Sequence, residues 1–184
     1  MDTLALITEA KQGSAAAQKL LFTRFASRMQ VVCRRYVKSP EDAEELLLNG
    51  FFKFFSKIDS FSYQGEAALY AWLKQIMINE CLMFLRSKNA FAMVTEAEAG
   101  EVGFSEDILD QLSADEILKL ILTLPVGYRT VFNLYAVEGY QHAEIAGLLG
   151  ISEGTSRSQY SKAKQLLQKI LSQNEIVYVK RNAN

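Results

Sequence analysis

The chain has 184 residues, 49% of them apolar, with a formal net charge of −1 and two prolines. That length allows one domain or two small ones, each with its own core, and abundant Leu, Ala, Glu, Lys and Gln favour helix nearly throughout. The balance of charge argues against a chain that grips nucleic acid by charge alone, no apolar run reaches the length of a membrane span, and Met1-Asp2-Thr3 does not open a secretory signal.

The near-neutral total conceals an uneven distribution: residues 1–95 carry +3, residues 96–138 carry −7 and residues 139–184 carry +3. Cys33 and Cys81 stand in apolar helical contexts without a CxxC pairing, and His142 is the only histidine. No metal set or cofactor is expected. Both cysteines read as reduced core residues of a cytoplasmic protein.

Residues 3–12 read as a short helix stopped at Gly13. Residues 14–37 read as a second, with Leu20, Leu21, Phe25, Met29, Val32 and Tyr36 recurring at the spacing of one buried face. Ser39 and Pro40 then look like an N-cap and first helical position, with Glu41, Asp42 and Glu44 favourable near the helix start. This third helix runs to about residue 57 and carries Phe51, Phe52, Phe54 and Phe55. Four phenylalanines in five positions cannot all point inward, so some face a second helix or a partner. Residues 59–66 form a loop containing Phe61, Tyr63 and Gln64. A fourth helix spans roughly 67–87, with Leu69, Trp72, Leu73, Ile76, Leu82 and Leu85 inward.

The first domain is expected to end near residue 93. An acidic linker, 94–112, follows; it reads as a solvated connector, and the charge pattern it creates also fits a chain that binds DNA weakly alone and is held there by a partner. Ser113 caps a helix at 114–123, Leu124-Pro125 starts another at 125–137, and helices near 141–148 and 153–171 follow. Residues 174–184 read as a short tail, frayed or weakly docked. The fold class is all-α: two small helical domains joined by an acidic linker.

The run from Glu138 to Ser158 reads as helix, tight turn at Gly150, then a helix capped by Ser152. That is a helix-turn-helix, whose second helix enters the DNA major groove. Ile145 and the small Ala146 pack against that helix, Gly150 suits a left-handed turn, and Ile151 anchors it. The outer side is expected to offer Ser156, Arg157, Gln159, Tyr160, Lys162, Lys164 and Lys169. Arg157 and Gln159 are placed for base edges, Lys162 and Lys164 for phosphate. In the first domain, Phe61 and Tyr63 lie beside a helix carrying Tyr70, Lys74, Asn79, Arg86 and Lys88. Rings next to positive charge suit unpaired bases, although either ring could instead close the core.

The pattern Leu124-Pro125, Arg129, Val131-Phe132, Leu134, Glu138-Gly139, Glu144-Ile145-Ala146, Leu149-Gly150-Ile151-Ser152 and Gly154-Thr155 resembles the bacterial extracytoplasmic-function sigma factors. So do Pro40-Glu41-Asp42-Ala43-Glu44-Glu45-Leu46, Phe51, Phe61, Gly65, Trp72-Leu73, Ile76, Asn79 and Leu85-Arg86, and the resemblance covers residues 6–171. It implies a non-catalytic factor that directs core RNA polymerase to promoters. Residues 41–57 would bind the polymerase, with Asp42, Glu45, Leu46, Asn49 and Phe52 as contacts. Residues 59–88 would read the melted -10 element, through Phe61, Tyr63, Gln64, Lys74, Asn79 and Arg86, with a flipped base held near Phe61–Ala67. Residues 141–169 would read duplex -35 DNA through Thr155, Ser156, Arg157, Gln159, Tyr160, Lys162 and Lys164. An anti-sigma protein is an expected further partner. Leu48-Asn49, Met83, Ser87, Ser156 and Gln159 depart from the family's pattern. A helix-turn-helix regulator that does not recruit polymerase is the alternative reading.

Overall fold

The computed structural model describes residues 2–88, 91 and 113–182. Eight α-helices occupy them: α1 (Thr3–Lys11), α2 (Ala15–Tyr36), α3 (Pro40–Ser56), α4 (Glu66–Ser87), α5 (Ala114–Thr123), α6 (Val126–Phe132), α7 (His142–Leu149) and α8 (Glu153–Asn182). They fall into two compact units, Met1–Ser87 and Lys88–Asn184. The acidic segment 94–112 lies outside the described residues.

In the first unit α2 packs against α1, α3 and α4. Its boundaries follow local chemistry. The Ser14 hydroxyl accepts from the Ala17 N–H, and the Ser39 hydroxyl accepts from the Asp42 N–H with Pro40 behind it. Each satisfies an N–H that the first helical turn leaves without a partner. Leu21, Phe25, Met29, Val32 and Tyr36 are buried as the spacing predicts, but Leu20 is exposed. Leu20 and Leu21 lie about 100° apart on a helix, and one stripe holds only one of them. On α4, Leu69, Leu73, Leu82 and Leu85 are buried, joined by Met77, Ile78 and Cys81. Trp72 and Ile76, expected inward, are only half-buried.

The phenylalanine run resolves by phase. Phe51 and Phe54 are core, Phe55 is half-buried and Phe52 is 73% exposed. Phe51 meets Phe22 of α2 at 4.7 Å between centroids, and Phe54 meets Trp72 at 5.3 Å. Aromatic pairs at such separations add to burial alone. Gly50 leaves room for the buried Met77 side chain of α4, whose sulfur a Cβ there would displace.

In the second unit Leu120, Ile121, Leu124, Phe132, Ala163, Leu167 and Leu171 form the core, with Tyr160 packed against it. Ser113 and Glu116 close a reciprocal capping box at the start of α5. The Arg129 guanidinium is buried and donates to the Leu124 carbonyl at 3.0 Å. The expected single helix over 125–137 is two pieces: after Phe132 the backbone widens into a π-helical stretch, Asn133–Val137. Helix α8 also differs from expectation. It continues through the segment anticipated as a separate tail and reaches Asn182.

Candidate nucleic-acid interface

Helix α7 begins where the Glu144 carboxylate accepts from the Gln141 N–H at 2.7 Å and ends at Gly150, whose φ of 68° is left-handed. The N–H groups of Gly150 and Ile151 both reach the Ala146 carbonyl, at 2.9 and 3.2 Å. This is the tight stop a glycine provides. The Ser152 hydroxyl accepts from the Thr155 N–H at 3.0 Å and starts α8. Ile145 is buried, while Ala146 and Ile151 are half-buried. The helix-turn-helix is therefore formed where the sequence predicts it.

Its outer face differs from the expected one. Ser156 and Gln159 are 0% exposed and Thr155 is buried, so none of the three lies on the accessible side of α8. The reason is phase. Thr155 and Gln159 sit eight and four residues before Ala163, and Ser156 seven before it, all on the stripe that faces the core. Tyr160 is half-buried against Phe132 and Tyr135, with centroids 6.1 and 4.5 Å away. Arg157 is exposed and pairs with Glu153 one turn back. Lys162 and Lys164 are half-buried, and the Lys164 ammonium lies over the Tyr160 ring at 4.9 Å. Arg157 and Lys164, seven residues apart, share one accessible face.

A contact absent from the sequence reading joins the two motif helices. The His142 ring stacks on Tyr135 at 4.3 Å, and its Nδ1 is 2.9 Å from the Ser156 hydroxyl. Ser156 is thus a polar residue in a packing position whose hydroxyl has a partner. Burial, then the Arg157 charge, hold the His142 imidazole below its ordinary pKa.

In the first unit the loop after α3 begins with a 3-10 turn, Ile58–Ser60, anchored by buried Ile58. Phe61 stacks on Trp72 with centroids 4.7 Å apart and planes 7° from parallel, and Tyr63 meets Phe61 edge-on at 6.5 Å. Both rings are half-buried, and Gln64 is exposed. On α4, Asn79 and Arg86 are exposed and seven residues apart, hence on one face. Asn79 accepts from Gln75 at 3.2 Å. Lys74 stands about 140° away from Asn79 around the helix, beside Tyr70. The Tyr70 ring lies 4.1 Å from the Arg28 guanidinium. The six -10 candidates therefore occupy a loop and two helix faces rather than one surface.

On α3, Glu45, Leu48, Asn49 and Phe52 form one exposed stripe, with Asp42 half-buried at its upper end. Leu46, expected to meet a partner, is core. Sequence reading also missed Lys53–Glu80, an ion pair at 2.5 Å that ties α3 to α4, with Glu80 only 7% exposed. The available signal was an acid in the same helical phase as Met77 and Phe84, which calls for a cation on the neighbouring helix. Among the described residues no helix is long and apolar enough to cross a membrane, and no group of three His, Cys, Asp or Glu could hold a metal ion.

Two all-α units, the second carrying a helix-turn-helix with cations on its accessible side, define a protein of the helix-turn-helix class. Comparison with known proteins narrows this. Residues 21–91 match sigma-70 region 2, and residues 114–167 match sigma-70 region 4. The ECF RNA polymerase sigma-E factor of Haemophilus influenzae is 27% identical over 177 residues, spanning 89% of this chain and 92% of the relative. The ECF RNA polymerase sigma factor SigM of Mycobacterium tuberculosis is 27% identical over 159 residues, 86% of this chain and 79% of the relative. The sigma factor RpoE of Bartonella quintana, solved with the anti-sigma factor NepR, shares the fold at a TM-score of 0.50 and 22% identity, over 84% of this chain and 96% of that one. The chain belongs to the sigma-70 family, in its extracytoplasmic-function branch.

Proposed function

We propose that this chain binds core RNA polymerase in the cytoplasm and directs it to promoters by reading a duplex -35 element with its second unit and a melted -10 element with its first. The observation that carries the reading is the presence of both sigma-70 regions, in order, on one chain. A regulator that only binds operators has no need of region 2.

The polymerase-facing residues are Glu45, Asn49 and Phe52, flanked by Asp42, on the exposed stripe of α3. Leu46 supports them from the core. Phe61, Tyr63 and Gln64 present the -10 loop, with Asn79 and Arg86 tracking the strand and Lys74 available to backbone from the other side of α4. Unstacking costs energy, and capture of an extruded base by the loop offsets it. Arg157 reads base edges at -35, and Lys162 and Lys164 neutralise phosphate. Thr155, Ser156, Gln159 and Tyr160 set the position of α8. An anti-sigma protein is the expected inhibitor, as the Bartonella relative was solved with one.

Run-off transcription with bacterial core polymerase on a genomic library tests this. Promoter-specific transcripts that require the chain are expected. Duplex binding without any transcript would overturn the reading in favour of an operator-binding regulator.

A further inference from the structure

Helix α1 lies outside the segment that matches sigma-70 region 2, which begins at residue 21. It is nevertheless bonded to both ends of the loop between α3 and α4. At the C-terminal end of α1, the Lys11 ammonium donates to the Phe61 carbonyl at 2.7 Å and to the Asp59 carbonyl at 3.3 Å. At the N-terminal end, Arg24 donates to the Thr3 hydroxyl at 2.6 Å, and that hydroxyl donates to the Glu66 carboxylate at 3.4 Å. Glu66 is the first residue of α4 and so closes the loop. The buried residues Leu6, Ile7 and Ala10 fix α1 to the core between these two ties.

The loop has unequal support. On one side the Phe61 ring is stacked on Trp72. On the other a cavity of about 650 Å³ opens between α1 and the loop, lined by Leu4, Ile7, Thr8, Gln12, Ser60 and Ser62 among others. Apolar packing does not fill that space, and Lys11, on its lining, holds two loop carbonyls, those of Asp59 and Phe61. An ammonium with three rotatable donors can hold two carbonyls at once. Charge-assisted bonds are stronger than neutral ones.

We infer that α1 is a splint for this loop and that Lys11 is a positioning residue, fixing the backbone at Asp59 and Phe61 so that Phe61 and Tyr63 are already oriented for unpaired bases. This rests on the proposed -10 role of the loop. Lys11 itself contacts no DNA. Its effect is preorganisation: a loop already in its binding conformation loses less freedom when a strand docks.

Trp72 is the only tryptophan and reports the stacked Phe61 directly. The test compares full-length Lys11→Met, which keeps the aliphatic stem, with Lys11→Arg and Phe61→Ala. Trp72 emission and its quenching by acrylamide are read on the free chain. Binding of a labelled -10 non-template oligonucleotide, and of -35 duplex, is read on holoenzyme.

Lys11→Met is expected to raise Trp72 quenching and to weaken the -10 strand by about two- to fivefold, the scale of a charged contact that stays exposed to water. Duplex binding should stay unchanged, and Lys11→Arg should restore both signals. Unaltered Trp72 quenching in Lys11→Met would overturn the splint. Loss of -10 binding in Phe61→Ala but not in Lys11→Met would overturn the positioning role while leaving the loop as the reader. No loss in either would show that the loop's -10 assignment had failed, and the positioning role with it.

Discussion

Ser156 and Gln159 occupy the buried stripe of α8, and the structure treats them differently. Ser156 has the His142 ring as its partner, whereas both amide atoms of Gln159 are buried without a hydrogen bond. A buried polar group left unpaired costs about 1–3 kcal/mol. Gln159→Met, which keeps the volume and removes the polar atoms, should therefore stabilise the second unit by roughly 1 kcal/mol. Thermal denaturation checks this. Lost -35 binding with no gain in stability would instead return Gln159 to the DNA surface. His142 gives a second expectation. Its pKa is depressed when folded, so the unfolded chain takes up this proton at higher pH than the folded one. Stability should be complete above about pH 6.5 and decline as pH falls below it. Thermal midpoints measured from about pH 7.5 down to about 5.5 should show this drop, and His142→Gln should flatten it. The misplacement of Ser156 and Gln159 in the sequence reading has a definite cause. Residue type alone places polar side chains of α8 outward. Anchoring the helical phase on Ala163, Leu167 and Leu171 assigns both inward.

Helix starts and stops were the most legible elements, because caps are local chemistry. Ser39, Ser113, Gly150 and Ser152 act where the sequence places them, while Ser14, read as part of the second helix, is its N-cap. The π-helical Asn133–Val137 was not legible, since the widening depends on how Asn133 and Leu134 are buried among other helices rather than on nearby residues. Such stretches occur often at functional sites, and Tyr135, which stacks on His142, projects from this one. Helix α8 overran its expected end because the β-branched Ile176, Val177 and Val179 carry a helix penalty too small to stop an established helix. The α3–α4 pairing depends on Lys53 and Glu80. Lys53→Met should cost about 2 kcal/mol, less than the loss of a fully buried pair, because Lys53 is 39% exposed. Replacing both residues by Met should recover most of that loss in urea titrations.

At the scale of the whole molecule, the two surfaces proposed to face DNA are modest. A chain of net charge −1 gains little from counterion release. On the proposed function, affinity then comes from holding two weak sites on one polymerase, where the second contact forms at a high effective concentration. Supplying residues 1–87 and 113–184 as separate polypeptides should lower promoter occupancy by about 10²- to 10⁴-fold relative to the intact chain, as read by footprinting with core polymerase. Occupancy unchanged by the cut would mean that one unit carries the recognition.

Phe52 leaves 73% of its surface in water on the same stripe as Leu48, which is also exposed. An uncovered ring fixed on a helix is adhesive to any apolar surface, including another copy of this chain. If that ring drives self-association, whatever covers it would set how much of the chain stays in usable form. Copies made in excess of that cover would be lost to clumping or digestion, so the supply of binding partners, and not synthesis alone, would limit the working pool.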